Sequence, residues 1–319
     1  MKLTEKQLRS CMFLCGPTAA GKTSAALMLA KELNAEILSM DSMAIYRGMD
    51  IGTAKPSAAE QLQVQHHLID LVEPDQDFSV ADYIAAAVCR VQEVLDRGRV
   101  TLFTGGTGLY LRSLLRGLSE GPTADAALRR HWQQQSEEKG REWLHQQLQS
   151  RDPVSAAKLH PNDGRRMIRA IEYFELTGTP ISNVQTHDSL PSEKRPRMVV
   201  WLNPQRVWLR ERIRQRIVVM MQAGWLQETE RLLRSMHPPG RTAGQALGYR
   251  ELIAFLQQGG DLPQTVDQIC IATRQFAKRQ CTWFRGLEEC TAVDLEGTET
   301  TERIVDRLLR EDRGRSGVE

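Results

Sequence analysis

Short apolar runs recur along the chain and alternate with longer stretches in which apolar positions return every three or four residues. The runs are Cys11-Met12-Phe13-Leu14-Cys15, Glu36-Ile37-Leu38-Ser39-Met40, Leu68 to Val72, Val100-Thr101-Leu102-Phe103-Thr104, Met198-Val199-Val200-Trp201-Leu202 and Thr291 to Leu295. Such runs read as strands covered on both faces, and the helical patterns at Ser24 to Leu33, Ser79 to about Arg97, Arg206 to Met221 and Ile269 to Phe284 supply the cover. Strands alternating with helices predict an α/β fold built on a parallel, doubly wound sheet.

Between Gly121 and Pro196 the texture changes: strands vanish, Gln, Arg, Glu and His dominate, and helical periodicity takes over at Asp125 to Lys139 and Trp143 to Ser150. The clearest helix opens at Asn162-Asp163, runs from Arg165 to Phe174 and is stopped by Gly178 and Pro180. Ile168, Ile171 and Phe174 are expected on its inner face, with Arg165 and Arg169 projecting together from one side. The chain therefore divides into a first part of a core (1–120), an inserted all-helical subdomain (121–197) and a second part of the core with basic C-terminal helices (198–319). From Arg310 the tail is expected to fray.

Composition narrows the class without choosing a function. With 41% hydrophobic and 26% charged residues over 319 positions, the chain has ample core and the profile of a soluble globular protein. No apolar run reaches membrane-span length and the N-terminus carries no apolar signal region, so a cytoplasmic location is expected. A net charge of +2 does not by itself point to nucleic acid, so that reading rests on where the arginines cluster. The six cysteines show no metal-ligand spacing and are read as reduced, mostly buried side chains.

The stretch Gly16-Pro17-Thr18-Ala19-Ala20-Gly21-Lys22-Thr23 carries the chemistry. It fits a phosphate-binding loop between strand and helix, in which backbone N–H groups and the positive helix end meet an anion. Lys22 adds a point charge and Thr23 a hydroxyl for Mg²⁺. In a parallel sheet the ligand lies beyond the carboxyl ends of the strands, where Asp41-Ser42 and Gly105-Gly106-Thr107-Gly108 also fall. Asp41 is placed to hold Mg²⁺ through water or to accept a nucleophile's proton, and Thr107 to donate to developing charge. The Val100 strand ends in Thr104-Gly105-Gly106 rather than in a metal-binding Asp, which argues against a motor-type ATPase. These residues leave three readings open: a transferase that stabilises a leaving phosphate group, an ATP-dependent kinase of a small metabolite, and an RNA-binding protein that uses a nucleotide as a switch.

Taken in order, the motifs resemble the tRNA dimethylallyltransferases, also called tRNA isopentenyltransferases. The resemblance rests on Gly16 to Thr23, Asp41-Ser42 with Tyr46, Asp50 to Pro56, His66 to Asp70, Gly105 to Tyr110, His160 to Asp163 with Arg165, Arg166, Arg169 and Ala170, Gly248-Tyr249-Arg250, and Thr273-Arg274-Gln275 with Lys278-Arg279-Gln280, Thr282-Trp283 and Arg285. It implies a monomeric enzyme that moves the dimethylallyl group of dimethylallyl diphosphate to N6 of adenosine 37 in tRNA, with Mg²⁺. By carry-over Asp41 is the base, Thr107, Lys22 and Thr23 stabilise the departing diphosphate, and Arg129 contacts the same region. RNA contacts are expected from Asp41, Ser42, Met43 and Ala44, from Thr107 and Arg129, from Arg165, Arg166, Met167, Ile168 and Arg169, from Gln245, Gly248, Tyr249 and Arg250, and from Arg274, Lys278 and Arg279. Two positions depart from the family pattern, Ala20 where Ser is common and Ala44 where Gln is common; the second removes a side chain that could bond adenine.

Overall fold

The computed structural model describes residues 2–118, 121–184 and 188–316, with side chains of the last helix described to residue 312. Its chain packs as two compact units, Met1–Gly117 with Ser189–Glu319, and Leu118–Asp188. The residues from Ser189 to Arg197, read with the insertion in the sequence, thus lie in the first unit, while residues 185–187 of the insertion fall outside the described residues.

The first unit is built on a six-stranded sheet of β1 (Cys11–Cys15), β2 (Ala35–Met40), β3 (His66–His67), β4 (Val100–Gly105), β5 (Met198–Pro204) and β6 (Thr291–Leu295). The strand order is β3-β2-β4-β1-β5-β6, all neighbours parallel. Every residue of β1 is buried, because the strand sits between β4 and β5 with helices over both faces. On one face Met12, Leu14, Ile37, Leu102, Val200 and Val293 pack against the helices Lys22–Glu32 and Thr301–Ser316. On the other, Phe13 stacks on Phe103, Trp201 on Phe284 of the helix Leu262–Arg285, and Tyr83 of the helix Val80–Asp96 reaches the Ser39 carbonyl. A further apolar cluster joins the loop around Ile45, Tyr46 and Met49 to the helices Arg206–Gln222, Trp225–Arg234, Tyr249–Gln258 and Leu262–Arg285.

Three sequence expectations change here. The strand expected at Leu68 to Val72 is replaced by the two-residue β3 just before it, because Leu68 and Asp70 take φ of 62° and 52°, which no extended strand tolerates. Asp261 caps the helix Leu262–Arg285 and Pro263 sits in its first turn, so it starts at Leu262 rather than Ile269. The tail continues as helix through Arg310 to Ser316.

The second unit contains the helices Ala126–Lys139, Arg141–Arg151, Pro153–Lys158 and Gly164–Thr177 around Trp132, Leu144, Leu148, Met167, Ala170, Ile171 and Tyr173. The inner face of the last helix is rotated from the expected one: Ile168 is only partly buried, whereas Met167, Ala170 and Tyr173 are buried beside Ile171. Glu172 is buried with them. Its carboxylate accepts paired bonds from Arg129 at 2.8 and 2.9 Å, one from Arg169 at 2.6 Å and the Asp125 N–H at 2.8 Å.

Candidate active site

Three segments meet at the carboxyl ends of β1, β2 and β4. The turn after β1 brings Ala19 to φ 64° and Gly21 to φ 89° before the helix Lys22–Glu32 starts. A left-handed alanine costs on the order of 1 kcal/mol and persists only when its surroundings hold it there. Gly21 is the N-cap and offers no side-chain oxygen, so the first-turn N–H groups of that helix are not capped by the chain itself. Lys22 curls back to donate to the Pro17 carbonyl at 2.7 Å, which places its ammonium over the turn.

Asp41 follows β2, and its Oδ1 accepts the N–H groups of Met43 at 2.8 Å and Ala44 at 3.4 Å. Thr107 is the N-cap of the helix Gly108–Arg116 but makes no side-chain cap; its hydroxyl instead accepts the Ser42 N–H at 3.2 Å, and its N–H donates to the Met40 carbonyl at 3.2 Å. The β4 turn is thereby fastened to the segment that carries Asp41. Beside them Tyr83 and Tyr110 stack with ring centroids 3.7 Å apart. Burial pushes both phenols up, and the charge of Asp41 adds to it.

Electrostatics single out a residue that the sequence leaves among five arginines. The Lys22 ammonium is pushed down to about 8, chiefly by burial and then by Arg216, with Asp41 opposing the shift. Arg216 is likewise lowered by burial and supported by Asp41. Asp41 thus lies within electrostatic reach of two cations, both partly buried. The signal is present in the spacing of the helix Arg206–Gln222: Leu209, Ile213, Ile217 and Met220 are buried, and Arg216 falls on that inward stripe. Thr23, one residue beyond Lys22, is exposed at the helix start.

The expected RNA contacts separate by exposure. Arg165 and Arg166 lie on the surface of the second unit, with Arg166 3.5 Å from Asp163. Arg169 does not project with Arg165; it is clamped to Glu172 and to the Pro122 carbonyl. Met167 is buried in the helical core and Ile168 is partly buried, so neither presents an open side chain. Arg129, expected at the diphosphate, has its guanidinium fork engaged by Glu172 in the second unit. Ser42 and Met43 are partly exposed, but Ala44 is buried and its methyl faces no solvent.

Gln245 and Arg250 are exposed, Arg250 pairing with Glu251. Tyr249 is buried and its hydroxyl donates to Glu228 at 2.6 Å, so its part is structural. Gly248 is fixed by packing, since a Cβ there would collide with the Trp225 ring. Arg274, Lys278 and Arg279 lie exposed along the helix Leu262–Arg285, as its polar face predicts. His66 and His67 are tied into structure, the first to the Val64 carbonyl and the second to Glu36, which also holds Arg97.

The family model described as IPP transferase matches residues 44–287. The tRNA dimethylallyltransferase of Symbiobacterium thermophilum is 43% identical over 93% of both chains, and tRNA dimethylallyltransferase 2 of Syntrophus aciditrophicus is 43% identical over 92% of this chain and 95% of its own. The crystal structure of the tRNA isopentenylpyrophosphate transferase from Bacillus halodurans aligns with a TM-score of 0.69 at 35% identity, covering 97% of this chain and 99% of that one. A eukaryotic dimethylallyltransferase acting on tRNA shares the fold with a TM-score of 0.76 at 23% identity, over 94% of this chain and 79% of that one. The chain belongs to the IPP transferase family, whose relatives at this level of identity are tRNA dimethylallyltransferases.

Proposed function

We propose that this chain is a tRNA dimethylallyltransferase that moves the dimethylallyl group of dimethylallyl diphosphate to N6 of the adenosine next to the anticodon. The observation that carries the reading is one carboxylate, Asp41, within electrostatic reach of two partly buried cations, Lys22 and Arg216, beside a helix start with no side-chain cap. Such a site suits a reaction that needs a proton acceptor next to a departing anion.

The turn Gly16–Thr23 acts as a phosphate loop, with its N–H groups, Lys22 and Arg216 around the diphosphate. The N6 lone pair forms the new C–N bond to the allylic carbon. The C–O bond to diphosphate breaks and its electron pair leaves with the diphosphate, while Asp41 takes the N6 proton. Thr107 holds the Asp41 segment against the β4 turn through the Ser42 N–H. Thr23 and, through water, Asp41 would hold Mg²⁺: a hydroxyl and a carboxylate are the hard oxygen donors that this ion accepts alongside phosphate oxygens. When bound, Mg²⁺ would add positive charge at the leaving group.

On the RNA side the target base must leave its stack, which costs on the order of a few kcal/mol. Phosphate contacts from the exposed Arg165, Arg166, Arg274, Lys278 and Arg279 offset that cost. The test is incubation of the protein with Mg²⁺, dimethylallyl diphosphate and an unmodified anticodon stem-loop, followed by digestion and mass spectrometry for N6-isopentenyladenosine. Absence of that product, with ATP turnover on a small acceptor, would replace the reading by the kinase one.

A further inference from the structure

Gln280 connects the two backbone segments of the proposed site. Its Oε1 accepts the Thr18 N–H at 2.9 Å, and its Nε2 donates to the Gly106 carbonyl at 2.9 Å. One partner is a donor and the other an acceptor, so only one orientation of the amide satisfies both. The side chain is 6% exposed, so water does not substitute for either bond at low cost. A Cβ on Gly106 would collide with Gln280 Nε2 and stand 3.4 Å from the Gly16 carbonyl, so the two segments abut and glycine is required at that contact. On the helix Leu262–Arg285 the buried positions Ile269, Thr273, Ala277, Gln280 and Phe284 form one stripe, and Gln280 is the long polar member of it.

We propose that Gln280 is a positioning residue for the transfer reaction, setting the distance between the phosphate loop that receives the diphosphate and the β4 turn whose Thr107 holds the Asp41 segment. This rests on the reading of the site given above. The amide touches neither substrate. It acts through Thr18, whose N–H it orients within the loop, and through Gly106, next to Thr107. No other side chain hydrogen-bonds both segments among the described residues.

Two variants test this. Gln280→Met keeps length and apolar packing but removes both bonds. It is expected to lower kcat/KM for dimethylallyl diphosphate by roughly tenfold or more, with the affinity for the stem-loop within about twofold of wild type. Wild-type kinetics in Gln280→Met, or a parallel loss of stem-loop affinity, would overturn the assignment. Gln280→Glu keeps the acceptor for Thr18 but offers a donor to Gly106 only when protonated, so the ratio of its kcat to that of wild type is expected to rise as pH falls from about 8 to about 6. A flat ratio overturns the proposal, since a merely structural glutamine predicts no such slope. Calorimetric titration with inorganic diphosphate separates this idea from the reading beneath it. If wild type makes no prenylated RNA, that reading fails, whereas equal diphosphate affinity of wild type and Gln280→Met sinks the positioning role alone.

Discussion

The Tyr249 hydroxyl donates to Glu228 Oε1 at 2.6 Å, and both residues are buried, Glu228 in the helix Trp225–Arg234 and Tyr249 at the start of the helix Tyr249–Gln258. The other donors to Glu228 are the N–H groups of Asp50, Ile51 and Gly52, and the Gly52 N–H also reaches the Tyr249 oxygen at 3.2 Å. One carboxylate and one phenol therefore set the path of the loop at 50–52 and the start of the helix Tyr249–Gln258. Tyr249→Phe takes one of its four donors from Glu228 and leaves the Gly52 N–H with only its longer 3.4 Å bond to Glu228, a loss of about 1–3 kcal/mol. The expected outcome is a Tm lower by several degrees, read by scanning calorimetry, and a weaker grip on the stem-loop through the displaced Gln245 and Arg250. An unchanged Tm would show that the network is redundant.

Within the second unit, the Glu172 carboxyl is held below its ordinary range: burial pushes it up, but the bonds from Arg129 and Arg169 and the Asp125 N–H outweigh that. A carboxyl depressed in the folded state contributes stability above its unfolded pKa and loses it as pH falls through the folded one. Acidification from about pH 5 to pH 3 is thus expected to loosen the helices Ala126–Lys139 and Gly164–Thr177. Glu172→Gln should do the same at neutral pH, costing about 3 kcal/mol, because two guanidinium groups lose their shared anion. Hydrogen exchange resolved along the chain checks both, and full protection of those helices in the variant would refute the account.

Parts of this protein are legible in the sequence because they are contiguous. Gly16 to Thr23, Asp41-Ser42 and Gly105 to Gly108 each combine a strand end with a turn, and parallel-sheet geometry alone brings strand ends together. What escapes are single polar residues on otherwise inward helix faces: Glu172, Arg216 and Gln280. Their partners lie far away along the chain, with Thr18 and Gln280 separated by 262 positions, so no local pattern names them. A polar side chain on an inward stripe must still find a buried partner, and reading the helix Leu262–Arg285 only for its basic face passes over Gln280. The ion pairs that Arg129, assigned by family resemblance, and Arg169 make with Glu172 escape for a related reason. Charge on a helix is visible in sequence, but the buried acid that engages it is not.

Lys22 provides a pH test of the proposed diphosphate site. Its ammonium is pushed down to about 8 from the ordinary 10.5, so the unfolded chain holds that proton more tightly than the folded one. The sign follows: the cost of burying the charge is full below about 8 and fades as pH rises toward 10.5, so this group makes folding more favourable across that window. Anion binding runs the other way, since diphosphate prefers the charged lysine. The ratio of wild-type to Lys22→Met affinity for inorganic diphosphate is expected to fall above about pH 8, by up to about tenfold per pH unit. Titration calorimetry in buffers of different ionisation enthalpy would also register proton uptake on binding near that pH. A ratio independent of pH would mean that Lys22 does not meet the anion.

Asp41→Asn separates proton acceptance from architecture. The asparagine oxygen can still accept the Met43 and Ala44 N–H groups that Oδ1 now takes, so the turn after β2 should survive. What is lost is the proposed acceptor of the N6 proton and the negative charge that supports the charged forms of Lys22 and Arg216. Turnover is expected to fall by about 10² to 10⁴ while stem-loop affinity stays within a few-fold of wild type. A parallel loss of RNA binding would instead assign Asp41 to recognition. The charge change has a second consequence that a simple loss of the base does not. Asp41 supports the protonated form of Lys22, so in the variant the lysine should release its proton at a lower pH and the fall in diphosphate affinity should begin below that of wild type. Observing the loss of turnover without that displacement would leave Asp41 as a base but break its electrostatic link to the phosphate loop.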